Sequence, residues 1–180
     1  MPLKPGFSFS QQKITDYVEC QRRFELKHIK QQPWPAIRSQ PVLEMEDRML
    51  EGQQFHLFAQ QYLSLIDPNL IKTQLTTEKL AAWWQAFENY ALPFLSLQRL
   101  VETQLVAEVN GYRFIAIVDL LVFQPPNKFL IMDWKTNYKR PTRKNLQQHF
   151  QTRLYPFLLT KTGSPFHKDL NVQPDQIEMT

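Results

Sequence analysis

A single cysteine, Cys20, stands in a chain of 180 residues. A disulfide framework within the chain is thereby excluded, as is a zinc site built from several thiolates, and a reducing compartment is permitted. Glycine is nearly as scarce, with four against thirteen prolines. So few argue against a glycine-rich phosphate loop, and neither a P-loop nor a dinucleotide fingerprint is present. No segment approaches ~18 uninterrupted apolar residues, so no transmembrane helix is expected. The opening Met1 to Lys13 lacks the charged stretch and apolar run of a secretory signal. A cytoplasmic protein without membrane attachment is the expectation. Internal repeats and low-complexity tracts are also lacking.

What is there is ordinary globular material. Hydrophobic residues make up 43% and charged residues 21%, enough to enclose one real core. The length fits one domain overall. The formal charge is +4 and the pI about 9.2, which is compatible with a polyanionic partner because Lys and Arg neutralise phosphates and release counterions. Net charge informs about association rather than fold, and a value this small carries little weight alone.

Residues 1–98 read as mainly helical. Ser10 starts a first helix whose apolar stripe takes in Ile14, Tyr17, Val18, Phe24 and Leu26. Gln31 to Pro41 reads as a loop. A second helix runs from Val42 to about Leu65, with Met45, Met49, Phe55, Phe58, Ala59 and Tyr62 sharing a broad face, and Asp67-Pro68-Asn69 stops it. Thr76 or Thr77 caps a third helix, with Glu78 suited to its positive end, and the helix runs to about Tyr90 before Pro93 ends or kinks it. Trp83, Trp84, Phe87 and Tyr90 read as helical core before a base-stacking platform. Residues 99–180 change character. Leu100 to Val109 reads as a strand, Asn110-Gly111 as a hairpin turn, and Tyr112 to Phe123 as its β-branched and aromatic partner. Gln124-Pro125-Pro126-Asn127 is a turn and Lys128 to Trp134 a third strand. Helix returns from about Lys144 to Leu159, and Gln176 to Thr180 looks like a strand just beginning. Helices, three antiparallel strands, a helix and a last strand predict an α/β (α+β) fold around a central sheet.

The informative constellation is Asp119 followed by Asp133-Trp134-Lys135. Asp119 interrupts the apolar run Ile115 to Val122, although Asp is depleted in strands and a buried carboxylate needs a partner or a metal. Asp133 and Lys135, two apart at a strand end, project to one side. A short turn between strands brings Asp119 to the same patch. Two carboxylates can hold a hard cation through oxygen, and a nearby ammonium can position water or stabilise charge developing on phosphorus. As isolated surface residues at a strand end, Asp133 and Lys135 would mean nothing; the buried acid beside them gives them weight.

Asp119 and Asp133-Trp134-Lys135-Thr136-Asn137 resemble the RecB-type branch of the PD-(D/E)XK nucleases. Gln151-x-x-x-Tyr155 is similar to that branch's downstream helical motif, with both residues on one helical face. Gly52-x-x-x-His56 is similar to its upstream histidine motif. Glu102 matches an acidic position found in many members, and Ser10 with Tyr17-x-x-Cys20 resembles the opening helix. The likeness runs from about Phe9 to about Leu159. It departs from the pattern at Ala116, where many members have glycine, and at Gln21, where proline is common. Some members hold an iron–sulfur cluster on one N-terminal and three C-terminal cysteines. Cys20 matches the first and the others are missing, so no such cluster is expected within this chain.

The resemblance implies a restriction-endonuclease-like central mixed β-sheet flanked by helices, with a helical N-terminal layer, and a last part shortened at its C-terminus. It implies Mg²⁺- or Mn²⁺-dependent hydrolysis of DNA, exonucleolytic in the manner of RecB-like and CRISPR-associated members. Asp119 and Asp133 would be metal ligands, with the Trp134 carbonyl and His56 beside them and Glu102 in or next to the metal's shell. Lys135 would orient water or stabilise charge, and Gln151 and Tyr155 would touch phosphate or the metal's surroundings. The loop bearing Lys139, Arg140, Arg143 and Lys144 would grip the DNA backbone, unless it is a plain solvated loop. Partners implied are single-stranded DNA or duplex ends, with room for a helicase or other repair protein. The competing expectations are a DNA-binding module without turnover and a scaffold that binds a partner through its helical half.

Overall fold

The computed structural model describes residues 3, 6–32, 40–136, 142, 145–146, 149–167 and 170–180, with side chains from residue 46 onward in the helix that starts at Gln40. A short strand β1 (Ser8–Phe9) leads into α1 (Gln11–Glu19), α2 (Gln21–Phe24) and a π-helical turn (Glu25–Ile29). Then come α3 (Gln40–Leu63), α4 (Pro68–Lys72), α5 (Glu78–Ala91), a 3₁₀ turn (Leu92–Ser96), β2 (Gln98–Val109), β3 (Tyr112–Gln124) and β4 (Lys128–Met132). Helix α6 (Phe150–Thr162) and β5 (Ile177–Met179) complete the order. No described helix is long and apolar enough to cross a membrane.

The caps form as residue chemistry dictates. Ser10 accepts the Lys13 N–H and opens α1, and Thr77 accepts the Leu80 N–H at 3.1 Å and opens α5, each satisfying a donor with no intrahelical partner. Asn110 and Gly111 both have positive φ, at 51° and 77°, the left-handed pair that a tight hairpin between β2 and β3 requires.

Several expectations need correction. The first helix stops at Glu19, because Cys20 is extended (φ −159°, ψ 101°) and caps a new helix by accepting from Arg23 N–H. Phe24 and Leu26 therefore belong to separate elements. Met49 is 55% exposed while Phe55, Phe58, Ala59 and Tyr62 are buried. Six residues before Phe55, it lies roughly 120° around the helix from that face. Asp67 does not merely end α3: it accepts the Asn69 N–H at 2.8 Å and caps α4. Strand β4 ends at Met132, so Asp133 and Trp134 lie beyond it; Asn145 and Leu146 are helical as expected, and α6 itself runs from Phe150 after an extended His149.

The sheet is mixed. β2 and β3 pair antiparallel along their length, β3 and β4 antiparallel from Leu120 onward, while β1 joins β3 and β5 joins β4 in parallel. With β2 along one edge of β3, β1 and β4 share the other edge, β1 at Arg113 and Phe114 and β4 at Leu120 to Gln124. Helices flank both faces. Phe55, Phe58, Tyr62, Trp84 and Phe87 from α3 and α5 meet Leu120, Val122, Leu130 and Met132 in one core. Leu154, Leu158 and Leu159 of α6, with Ile14 of α1 beside them, meet Val118, Leu121, Phe123, Phe129 and Ile131 in the other.

Side chains on a strand alternate faces with period two, and β3 breaks that rule once. Ala116 and Val118 belong to the α6 core, yet Leu120 and Val122, of the same parity, belong to the α3–α5 core. β2 does likewise, with Val101 against the α3–α5 core and Leu105 and Ala107 in the other. Val101 pairs with Leu120 and Thr103 with Val118, but the pair between them, Glu102 and Asp119, drops out of the ladder. No residue is inserted, so both strands kink together at one point. Glu102 there has φ of 49°, a left-handed conformation that costs a non-glycine residue about 1–2 kcal/mol.

Candidate active site

The kink is where the carboxylates gather. Asp119 stands between Val118 and Leu120, both fully buried, and its own side chain is 13% exposed. Glu102 lies opposite on β2, and His56 reaches in from α3 with Nδ1 3.5 Å from Asp119 Oδ2. His56, Glu102 and Asp119 each offer one ligand atom, all within 4.8 Å of one another. The chain after β4 closes the other side. Trp134 donates its backbone N–H to Asp119 Oδ2 at 2.6 Å, and its indole packs against Phe87 and Tyr90 of α5 at 4.9 and 6.1 Å between ring centroids. The aromatic in the Asp-Trp-Lys triplet thus anchors the triplet to the helical layer. The Asp133 N–H donates to the Thr180 carbonyl at 3.1 Å.

Asp133 faces the same site and is held from two sides. Gln151 of α6 donates to its Oδ1, and the Lys135 ammonium pairs with its Oδ2. Lys135 is on the exposed side, at 40%, where an incoming anion can meet it. Gln151 and Tyr155, one turn apart on α6, are 4% and 7% exposed. Gln151 supports Asp133 from within, and Tyr155 is hydrogen-bonded to Gln151 behind it. The strand-alternation argument for pairing Asp133 with Lys135 does not apply, since both lie past the end of β4; the two side chains meet through an ion pair instead.

Electrostatics show what the site needs. Burial, and then the charge of Asp119, push the Glu102 carboxyl up. Burial and Asp119 likewise push Asp133 up, against the bonds from Lys135 and Gln151. The His56 imidazole is raised by its bond to Asp119, which outweighs its burial. Burial and the nearby Asp133 charge push the Tyr155 phenol up. Carboxylates crowded in a partly buried space are short of positive charge. Two carboxylates and an imidazole, converging without a thiolate, form a donor set for a divalent cation rather than for a soft, thiolate-seeking metal. The residues fit a divalent cation held by His56, Glu102 and Asp119, with Asp133 adjoining.

A family model of the PD-(D/E)XK nuclease superfamily matches residues 8–177. The chain belongs to that superfamily. The match spans β1 to the start of β5, and so takes in both cores and every acidic residue of the kink. The curled mixed sheet between helical layers is the restriction-endonuclease-like arrangement of these PD-(D/E)XK proteins. No curated protein and no solved structure matches. Within this PD-(D/E)XK chain, Lys139, Arg140, Arg143 and Lys144 lie outside the described residues.

Two contributors were not singled out from sequence. The Trp134 backbone N–H to Asp119 has no sequence signal, since every residue but proline carries that donor. Thr136 fits against Gly52, where a Cβ would stand 2.7 Å from Thr136 Oγ1. The glycine in Gly52-x-x-x-His56 was the available hint, because glycine inside a helix is destabilising unless something approaches closely.

Proposed function

We propose that this protein is a DNA nuclease of the RecB-like branch, hydrolysing phosphodiester bonds with Mg²⁺ or Mn²⁺ and acting as an exonuclease on single strands or duplex ends. The observation that carries the reading is the convergence of His56, Glu102 and Asp119 at the kink, beside an Asp133–Lys135 pair whose ammonium is open to solvent. A bound divalent cation would polarise the phosphate and lower the pKa of its water. The chain's own residues do the rest. Asp119 is aimed by the Trp134 N–H, Asp133 by Gln151, and Lys135 neutralises charge at the phosphate as it leaves Asp133. The Trp134 carbonyl is available as a further oxygen ligand, and the basic loop from Lys139 to Lys144 would hold the flanking backbone. Residues 1–98 and 99–180 act as one domain, the helical part supplying His56 and the sheet part the acids. A cytoplasmic location and delivery of substrate by a helicase or other repair protein fit this role.

The test is cleavage of labelled single- and double-stranded DNA with Mg²⁺, Mn²⁺ or EDTA, beside Asp119→Ala and Lys135→Ala. Metal-dependent cleavage that falls by roughly 10²-fold or more in both folded variants is the expected result, and the product ladder separates exo from endo action. A wild type inert on every substrate with metal supplied would leave a binding module on a nuclease fold.

A further inference from the structure

At the end of the sheet where β1 joins β3, two adjoining cavities are left unused by the nuclease chemistry. One, of about 640 Å³, is walled by Phe9, Tyr17, Phe24, Ile29 and Tyr112, with Gln21 and Glu25 as its polar members. The other, of about 330 Å³, has Lys13, Lys27 and His28 in its wall, and Ile29 lines both. The aromatic wall is layered. Phe9 and Phe24 lie parallel, 6.3 Å apart. Tyr17 stands edge-on to Phe24 at 5.3 Å and Tyr112 edge-on to Phe9 at 5.8 Å. Phe24 is buried and has done its packing, but Tyr17 and Tyr112 remain 47% and 49% exposed. Two half-exposed phenol rings across one cavity are more than packing requires.

The second cavity supplies charge. Among the described residues the Lys13 ammonium donates to the Ser8 carbonyl at 2.7 Å and lies 4.5 Å from the centre of the Phe7 ring, and Lys27 donates to Asp16 Oδ2 at 3.0 Å. An ammonium has three donors, so each has more than these hydrogen bonds among the described residues use. Asp16 is also met by His28 at 2.7 Å and by Arg23 at 3.1 Å. Its negative charge is spent inside the helical turn. Glu25 in the aromatic cavity is likewise covered, by Arg22 at 2.6 Å and Lys30 at 2.9 Å. A stacking surface beside ammonium donors matches one nucleotide of an unpaired strand, because every base has a π-face and every phosphate a charge.

We infer that these paired cavities bind a nucleotide of single-stranded nucleic acid remote from the reacting bond, its base against Tyr17 and Tyr112 and its phosphate on Lys13 and Lys27. The inference rests on the nuclease reading for the nature of the polymer. Topology supplies the path. β1 and β4 lie on the same edge of β3, so a strand leaving Lys135 can reach β1 without crossing the sheet. Tyr112 is seven residues from Asp119 along β3, on the order of 23 Å at ~3.3 Å per residue. The cavities therefore read substrate length: a short oligonucleotide at the carboxylates does not reach them. A paired base keeps its π-faces stacked in the duplex, so blunt duplex gains nothing there.

The experiment is fluorescence anisotropy with labelled oligothymidylates of increasing length and with a blunt duplex, in EDTA to prevent cleavage. Wild type is compared with Tyr17→Ala/Tyr112→Ala, Tyr17→Phe/Tyr112→Phe, Lys13→Gln and Asp119→Ala. Wild-type affinity is expected to step up once the strand is long enough. The alanine pair loses that step, about tenfold, and keeps its affinity for short strands and duplex. The phenylalanine pair retains the step, which separates stacking from damage to the fold. Lys13→Gln lowers the slope of log affinity against log salt by about one. An alanine pair that binds long strands as wild type does, a loss equal for duplex and single strand, or no oligonucleotide binding at all overturns the inference; a peptide-binding groove would give the first of these. Asp119→Ala should keep the step. If the step is present and tyrosine-dependent while wild type cleaves nothing with metal, the binding site stands and the nuclease reading fails.

Discussion

Gly52 shows how one missing side chain can set an active site. It lies in the interior of the 24-residue α3, a turn before His56, where glycine weakens a helix by about 0.5–1 kcal/mol relative to alanine. The offset is contact: Thr136, directly after Lys135, sits where a Cβ on Gly52 would come within 2.7 Å of Oγ1 and 3.5 Å of Cβ. Gly52→Ala should push Thr136 away, draw Lys135 off Asp133, and lower the cleavage rate about tenfold, since small displacements of a positioned group are expensive in rate. In a Thr136→Ala background the nearest contact relaxes to ordinary van der Waals distance. The same substitution should then leave the rate alone and raise stability by about 0.5–1 kcal/mol. Cleavage rates and thermal melts of the four proteins check this. Equal rate losses in both backgrounds would mean that Gly52 serves something other than the Thr136 contact.

At the scale of elements, local chemistry was legible where a residue acts on its neighbours. Ser10 and Thr77 cap the helices they were expected to cap, Asn110-Gly111 turns the hairpin, and β3 and β5 lie close to their expected places. The break at Cys20 was not legible. No proline or glycine marks it, and its cause is tertiary: Asp16 on α1, 2% exposed, draws Arg23, Lys27 and His28 of the next two elements around itself. Burial alone would raise the Asp16 carboxyl, but the bonds from His28, Lys27 and Gln12 prevail and hold it at about 2, below its ordinary 3.8. A depressed carboxylate contributes stability that is complete above its unfolded value and disappears as pH falls through its folded value. Asp16→Asn should therefore cost roughly 2 kcal/mol at pH 7, because a buried acceptor of charged bonds is lost. The difference from wild type should narrow below about pH 3.8 and close near pH 2. Urea melts along that pH series decide it, and a difference that is constant or grows on acidification would mean that the ionised form of Asp16 is not what stabilises the fold.

Across the whole molecule, the site lies on the seam between two cores, and that explains which parts of it could be read in advance. Asp119 announced itself by breaking an apolar run, whereas the strand spacing that singled out Asp133 and Lys135 does not operate past Met132, where an ion pair joins them instead. The Asn110-Gly111 turn fixes a register that sets Glu102 opposite Asp119, but the kink that takes this pair out of the ladder was hidden. Gln151 clamping Asp133 was hidden too, since the contact is made only when α6 packs on the opposite face from α3 and α5. The seam should be a strained place that a cation relieves. Glu102 has its carboxyl raised by burial and by Asp119. The penalty of ionising it in the folded protein is absent below the unfolded value of 4.5, grows as pH rises, and is complete above the folded value. Without metal at pH 7, Glu102→Gln should therefore be the more stable protein. Mn²⁺ should reverse the order. A ligand that binds only the folded state at a hundred times its dissociation constant adds about 2.7 kcal/mol, and the amide retains little of the carboxylate's affinity. Asp119→Ala should gain nothing from Mn²⁺ at the same concentration. Denaturant midpoints of the three proteins with EDTA and with Mn²⁺ test the crossing. Parallel shifts in all three would place the cation elsewhere, whereas a crossing confined to wild type and Glu102→Gln would tie it to the kink.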